Sequence, residues 1–483
     1  MKRPALALAA LAALLWSCSD DGGTTGDGPV VAPEVGIDAG ADSAPDSGIG
    51  NDVKPEMYAG GGTGGGSIDG RLNVYVVDAA DDSPLEGALV MLGDGTTDQG
   101  TTDKDGLITF RRAGLAGPVT VTAGITGYAT STVVGLDAAN FTLTLGSRTA
   151  PAPIKTGTCS GTVKDWASLP ALPANHVRIG VAGYLMTKEL GGAENEVQQP
   201  SGDLNLYSPE LSKTTWTVTV PAKDGLGVYV AVLDVDTQGT TTADDDVRTL
   251  THVGVVRDLK VGEGQVLANI QVPLVPADDK IKVNVPSTLP AGTDASAVGL
   301  IVQLPTGELL PFFLPTGAGE FPVPKLAGDY AGGSYWVLVS AEPTGSKEGD
   351  RQTESLVLKR DITDTSKAVD ISMLELPSAL KLTGRTLSFS APPNLQLQSV
   401  DLYPEAPGAP HWSVAFIDAA SPVSFTLPDL PAGAKAEDLP AGKLFMHVKG
   451  MELAGVDLNN ARFKELTNSL TRWSQHGALA ELK

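Results

Sequence analysis

The side chains best suited to chemistry lie in one acidic stretch, Asp234-Val235-Asp236-Thr237-Gln238-Gly239, which runs on to Ala243-Asp244-Asp245-Asp246. Counted from Asp234, oxygen-bearing side chains fall at positions 1, 3, 5, 7 and 12: Asp234, Asp236, Gln238, Thr240 and Asp245. That is the spacing of a calcium loop. Ca²⁺ takes about six to eight oxygens, alternate side chains point inward, and a glycine at the sixth position permits the tight turn. The expected metal site is therefore Ca²⁺ on these five residues, with Asp244 and Asp246 adding negative field or substituting as ligands. Two departures stand beside it. The last ligand is Asp245, shorter than glutamate, and the flanks Tyr229 to Leu233 and Val253 to Val256 read as strands. A solvated acidic turn is the competing reading, because the matching stretch 341–350 of a second copy keeps only Glu342, Glu348 and Asp350.

Other chemistries lack their residues. The five histidines, His176, His252, His411, His447 and His476, begin no H-x-x-E or H-E-x-x-H pattern. There is no G-x-S-x-G elbow and no Walker A loop. Trp166, Trp216, Trp336, Trp412 and Trp473 are spread along the chain as core residues or sugar platforms. Cys159 reads as a small buried hydrophobe. No catalytic residues are assigned and the expectation is a non-enzyme.

The elements that must position the acidic stretch are strands. Gly 56 and Pro 34 are abundant and aromatics are only 5% of the chain, which favours many turns and short strands. From Leu72 the pattern alternates with period two through Leu72, Val74 and Val76. Short strands follow at Ala88–Leu92, Gly106–Phe110, Val119–Ala123, Tyr128–Val134 and Phe141–Leu145. Such spacing indicates antiparallel sandwiches. The predicted class is all-β, tandem antiparallel β-sandwich domains behind a disordered N-terminal tether. A net charge of −23 repels phosphate backbones and argues against nucleic acid as a partner.

The N-terminus reads as an address. Lys2 and Arg3 precede an apolar run, Ala5 to Leu15, too short to span a bilayer and suited to a signal core. Leu15-Trp16-Ser17-Cys18 resembles a bacterial lipobox, with Trp16 where that pattern has a small or branched residue. The resemblance implies cleavage after residue 17, acyl chains on Cys18, and attachment to a membrane through lipid, with an outer-membrane or cell-surface location. Residues 18–67, rich in Gly and Asp, form the expected disordered tether.

Val76-Val77-Asp78, Pro84-Leu85-Glu86-Gly87-Ala88-Leu89-Val90 and Thr101 to Phe110 resemble the opening hairpin and central strand of carboxypeptidase regulatory-like (transthyretin-like) domains. Val119 to Ala123 with Gly127-Tyr128 resembles their penultimate hairpin. The resemblance covers 68–147 and implies a β-sandwich that acts as a spacer or recognition module, so that the expected tandem domains are transthyretin-like or Ig-like sandwiches.

Beyond it the chain repeats. Val228 to Leu233 is similar to Ser334 to Val339 at an offset of 106, and Val255 to Leu259 to Leu358 to Ile362 at 103. A third copy begins at Leu444 to Val448. The predicted units are 155–277, 278–378 and 379–483. Phe463, Leu466, Leu470 and Trp473 have helical spacing, but the third copy makes part of that stretch a strand. The expected role is non-catalytic binding, adhesion or envelope scaffolding, with an envelope protein or a polysaccharide as partner. Alternatives are an accessory carbohydrate- or peptide-binding subunit for a separate hydrolase, and a cryptic enzyme.

Overall fold

The fold comes from a computed structural model, which describes residues 60–62, 64–93, 98–149, 154–187, 215–240, 247–314, 318–343, 353–404, 408–463 and 466–482. The signal segment 1–17 with Cys18, most of the expected tether, and Asp245 with its neighbours Asp244 and Asp246 lie outside the described residues.

The described strands fall into four successive groups. The first holds β1 (Gly61–Gly62), β2 (Asp69–Asp78), β3 (Leu89–Leu92), β4 (Gln99–Thr101), β5 (Leu107–Ala116), β6 (Val119–Gly124), β7 (Thr130–Leu136) and β8 (Asn140–Leu145). The second holds β9 (Thr156–Val163), β10 (His176–Tyr184), β11 (Thr215–Pro221), β12 (Leu226–Asp236), β13 (Val247–Leu259), β14 (Val266–Val272) and β15 (Val275–Pro276). The third holds β16 (Asp279–Asn284), β17 (Ala295–Gln303), β18 (Leu309–Leu314), β19 (Gly319–Val323), β20 (Ser334–Glu342), β21 (Glu354–Ile362) and β22 (Val369–Asp370). The fourth holds β23 (Ser378–Thr383), β24 (Thr386–Ser390), β25 (Leu397–Pro404), β26 (Trp412–Ile417), β27 (Val423–Thr426), β28 (Gly442–Leu453) and β29 (Leu470–Leu482).

The groups share one topology. In the first three, a long opening strand (β2, β9, β16) lies between an antiparallel partner (β5, β11, β19) and a parallel one (β8, β14, β22). In the fourth, β24 lies between β23 and β27, both antiparallel, so β23 stands where the others have their last strand. The facing sheets run β4-β3-β6-β7, β10-β12-β13-β15, β18-β17-β20-β21 and β26-β25-β28-β29. The first unit thus has the architecture of the three repeats, although the sequence resemblance set it apart. The repeat itself carries a shared irregularity. Asp258 and Asp361 both adopt positive φ, 60° and 57°, where β13 and β21 bulge against their neighbours. Asp tolerates that left-handed conformation better than most residues, which accounts for the repeated Arg-Asp pair.

Three of the facing sheets join edge to edge into one twelve-stranded sheet. At one seam β7 pairs with β26 in parallel, Thr130–Val134 against Trp412–Phe416. Trp412 Nε1 donates across it to Thr132 Oγ1 at 2.9 Å. At the other seam β21 pairs with β29, Glu354–Val357 against Arg472–Gln475. There Arg360 Nη1 donates to the carbonyls of Asn468 and Leu470 at 2.9 and 2.7 Å. A sheet so closed at its edges is covered on both faces. Tyr335, Val337 and Val339 of β20 enter the core shared with the second unit, while Trp336 and Leu338 enter the core shared with the first. The second unit packs by a face instead. Val228, Val230 and Val232 of β12 cover its own small sheet, and Tyr229, Ala231 and Leu233 join the core of the third unit. β12 and β20 therefore read as unbroken apolar runs, the pattern of strands buried on both sides.

Two expectations change. The expected tether has regular structure at two of its glycines: Gly61 and Gly62 pair with β8. A Cβ on Gly61 would come within 2.2 Å of the Ala461 carbonyl, and one on Gly62 within 1.9 Å of that of Asn459, so only glycine fits. The helical spacing from Phe463 yields only a turn, α1 (Leu466–Ser469), before β29 begins. Ladders on both sides of β29, to β21 and β28, override it.

A fragment spanning 154–277 bares the Tyr229, Ala231 and Leu233 face. It should bind a hydrophobic dye and self-associate, and lose both properties when 278–378 is attached. A monomeric, dye-silent fragment would show that this face needs no cover.

Candidate functional site

The acidic stretch begins inside a strand. Asp234 and Asp236 lie two residues apart on β12, hence on one face, opposite Arg178 and His176 of β10. Arg178 clamps Asp234 with a bidentate fork: Nε donates to Oδ1 at 2.7 Å and Nη2 to Oδ2 at 3.0 Å. Its Nη1 donates to the Pro170 carbonyl at 2.9 Å. The Arg178 side chain is 9% exposed and that of Asp234 20%. Asp236 accepts from the Gln238 backbone N–H at 2.9 Å and from Gln238 Nε2 at 2.7 Å, with His176 Nε2 at 3.7 Å from Oδ2. Gln238 and Gly239 turn the chain with φ of 52° and 71°. Thr237 caps onto the Asn175 carbonyl, and Thr240 Oγ1 donates to the Thr237 carbonyl at 3.2 Å.

Asp234 and Asp236 thus share a strand face, Gln238 folds back on Asp236, Thr240 bonds to the turn itself, and Asp245 lies outside the described residues. Each of the four already has a protein partner. A cation here must draw Asp234 from Arg178 or leave it in place and use the remaining oxygens. Among the described residues no group of three or more His, Cys, Asp or Glu side chains is arranged to hold a metal ion. Sequence spacing identified the acids but not Arg178, since its partnership is set by a cross-strand register.

A second polar assembly lies on the seam of the twelve-stranded sheet, and sequence reasoning passed over it. Glu354 of β21 faces Gln475 of β29, which faces Lys449 of β28. Asp401 of β25 faces both His447 of β28 and Ser413 of β26. All but Ser413 are buried. Gln475 Nε2 donates to Glu354 Oε2 at 3.3 Å, and Glu354 Oε1 has no partner. Burial, with Glu342 nearby, pushes the Glu354 carboxyl up to about 8. Burial likewise pushes His447 down to about 3, leaving the ring neutral. These residues occupy positions that alternation assigns to a solvent face, so period two gives no sign of their burial.

Trp166 and Trp216 are half-buried against the core of the second unit. Trp336, Trp412 and Trp473 are buried core residues, and Arg360 and Arg385 lie 5.0 and 5.3 Å over the rings of Trp336 and Trp412. They offer no platform to a sugar. Burial pushes the Cys159 thiol up to about 11, away from reactivity.

No protein-family model matches this chain. No curated protein matches it. Among solved structures, the Bacillus anthracis TIE protein is 13% identical with a TM-score of 0.14, over 56% of this chain and 45% of that one. A tetra-tandem repeat in the extending region of a large adhesion protein is 11% identical with a TM-score of 0.15, over 86% of this chain and 99% of that one. TM-scores this low leave the fold description resting on the chain's own strands.

Two outcomes follow from the geometry. Asp234→Asn should lower stability by about 2–4 kcal/mol in chelator as well as in calcium, because it strands Arg178; thermal or urea unfolding reads it, and a loss confined to calcium contradicts it. For Glu354, the folded carboxyl titrates above its unfolded value, so the native state holds a proton that the unfolded chain has lost. Stability should fall as pH rises from about 4.5 to about 8, by on the order of a few kcal/mol, and level off above. Glu354→Gln should flatten that slope in urea midpoints taken across this range.

Proposed function

We propose that this chain is a lipid-anchored, extracytoplasmic protein with a non-catalytic binding, adhesion or scaffolding role. The observation that carries the reading is the twelve-stranded sheet, which ties three sandwich units together through backbone ladders. Units joined this way cannot swivel, so the body suits a stiff spacer or platform. The resemblance of 68–147 to carboxypeptidase regulatory-like domains supports the same role, and the Leu15-Trp16-Ser17-Cys18 motif supports the anchor. An acidic surface favours a protein or a neutral polysaccharide over an anionic partner. Calcium belongs to the proposal as a ligand of the Asp234 to Asp245 loop through Asp236, Gln238, Thr240 and Asp245 beside the clamped Asp234.

Labelling cells with a palmitate analogue tests the anchor. Label should appear on the wild-type chain and be absent from Cys18→Ala, which should accumulate unprocessed or soluble. A wild-type chain that takes no label, with a mature end other than Cys18, refutes lipid attachment. For the loop, millimolar calcium should raise the wild-type melting temperature more than that of Asp236→Asn/Asp245→Asn. Equal shifts, or none, leave a plain acidic turn.

A further inference from the structure

The seam assembly holds a lysine amino group and a carboxyl group in buried contact. Lys449 Nζ lies 3.2 Å from Asp401 Oδ2, and the two side chains are 6% and 3% exposed. They project from adjacent strands, β28 and β25, on the face opposite the fourth unit's own core. The Ser413 hydroxyl donates to the other oxygen, Oδ1, at 2.7 Å and fixes the carboxyl plane. Oδ2 has no aligned hydrogen-bond donor. His447 sits directly across the ladder from Asp401, hydrogen-bonded to Gln475, with Nε2 unpartnered.

The charge state sets up the chemistry. Burial pushes the Asp401 carboxyl up, yet Lys449 and the Ser413 hydroxyl hold it below its ordinary value, so the carboxyl is charged where it meets Lys449. In water, an amide gives way to ammonium and carboxylate largely because both ions are well hydrated. Here that hydration is gone, at an effective cost of several kcal/mol for each buried ion. Condensation removes both charges and leaves one neutral amide with a donor and an acceptor.

We propose that Lys449 and Asp401 condense to an intramolecular amide that staples β25 to β28. A proton leaves the Lys449 ammonium for the carboxylate directly across the 3.2 Å contact. Nζ attacks Cγ, the C–N bond forms, and the Cγ–Oδ2 bond breaks. Nζ gives up two protons in all, and these depart with Oδ2 as one water. Ammonium plus carboxylate equals amide plus water, so no oxidant, reductant or co-reactant is required. The bond closes a loop across the long strands that form the seam with the third unit.

Tryptic digestion of the purified, denatured full-length chain followed by mass spectrometry tests this. The expected result is a branched peptide joining the Lys449 and Asp401 segments, lighter by one water than the two linear peptides together. It should vanish in Lys449→Arg, which keeps the positive charge but not the nucleophile, and in Asp401→Ala. Wild-type chain that yields only linear peptides, with both side chains unmodified, means a buried ion pair only and overturns the proposal; that measurement does not depend on any variant folding.

Discussion

The structure depends on how its sheet edges are closed. A strand edge left open is a row of unpaired N–H and C=O groups and a template for association. In this chain β7 closes on β26 and β21 on β29, so three units cover their edges with one another. The consequence is geometric. A sheet extended to twelve strands has two long faces, and each must be packed. One face takes the small sheets of the third and fourth units, and the other takes the first unit with Leu453, Leu458, Phe463 and Leu466.

That covering accounts for the buried polar groups. In a single four-stranded sheet, Glu354, Lys449 and Gln475 would lie on a wet outer face. In the joined sheet they are enclosed, and each must find a partner or change its protonation. Glu354 takes one amide donor and holds its proton, Lys449 takes Asp401, and His447 stays neutral. The second unit meets the same constraint by face packing, and its enclosed Arg178 is held by Asp234 and the Pro170 carbonyl. Polar residues at these positions fix register as much as they add stability, because a one-residue slip moves a charge into an apolar core.

Much of this was legible in the sequence, and the limits have physical causes. Period-two runs marked most strands, and the offsets of 106 and 103 located β12, β13, β20 and β21 correctly because the Arg-Asp bulge repeats with them. The acids of the loop were legible as neighbours because i and i+2 share a strand face. Arg178 was not, since it lies 56 residues away and meets Asp234 only through strand register. The fourth topological copy, 68–147, was hidden because it shares the strand order of the others but not the residues from which the repeat was read. The seam was invisible for a related reason: edge pairing is made by backbone groups, which every residue has. Leu470 and Trp473 carried a helical spacing, and two flanking strands overrode it.

The central claim is that the seams are as firmly paired as the sheets they join. Native-state amide hydrogen exchange on the full chain tests it most directly, read at Ser355–Val357 on one seam and Thr130–Val134 on the other. The account predicts that these amides exchange as slowly as those of central strands such as β20 and β28. Exchange at the rate of the free edge strand β4 would mean that the units are separate bodies in loose contact, and would contradict the account.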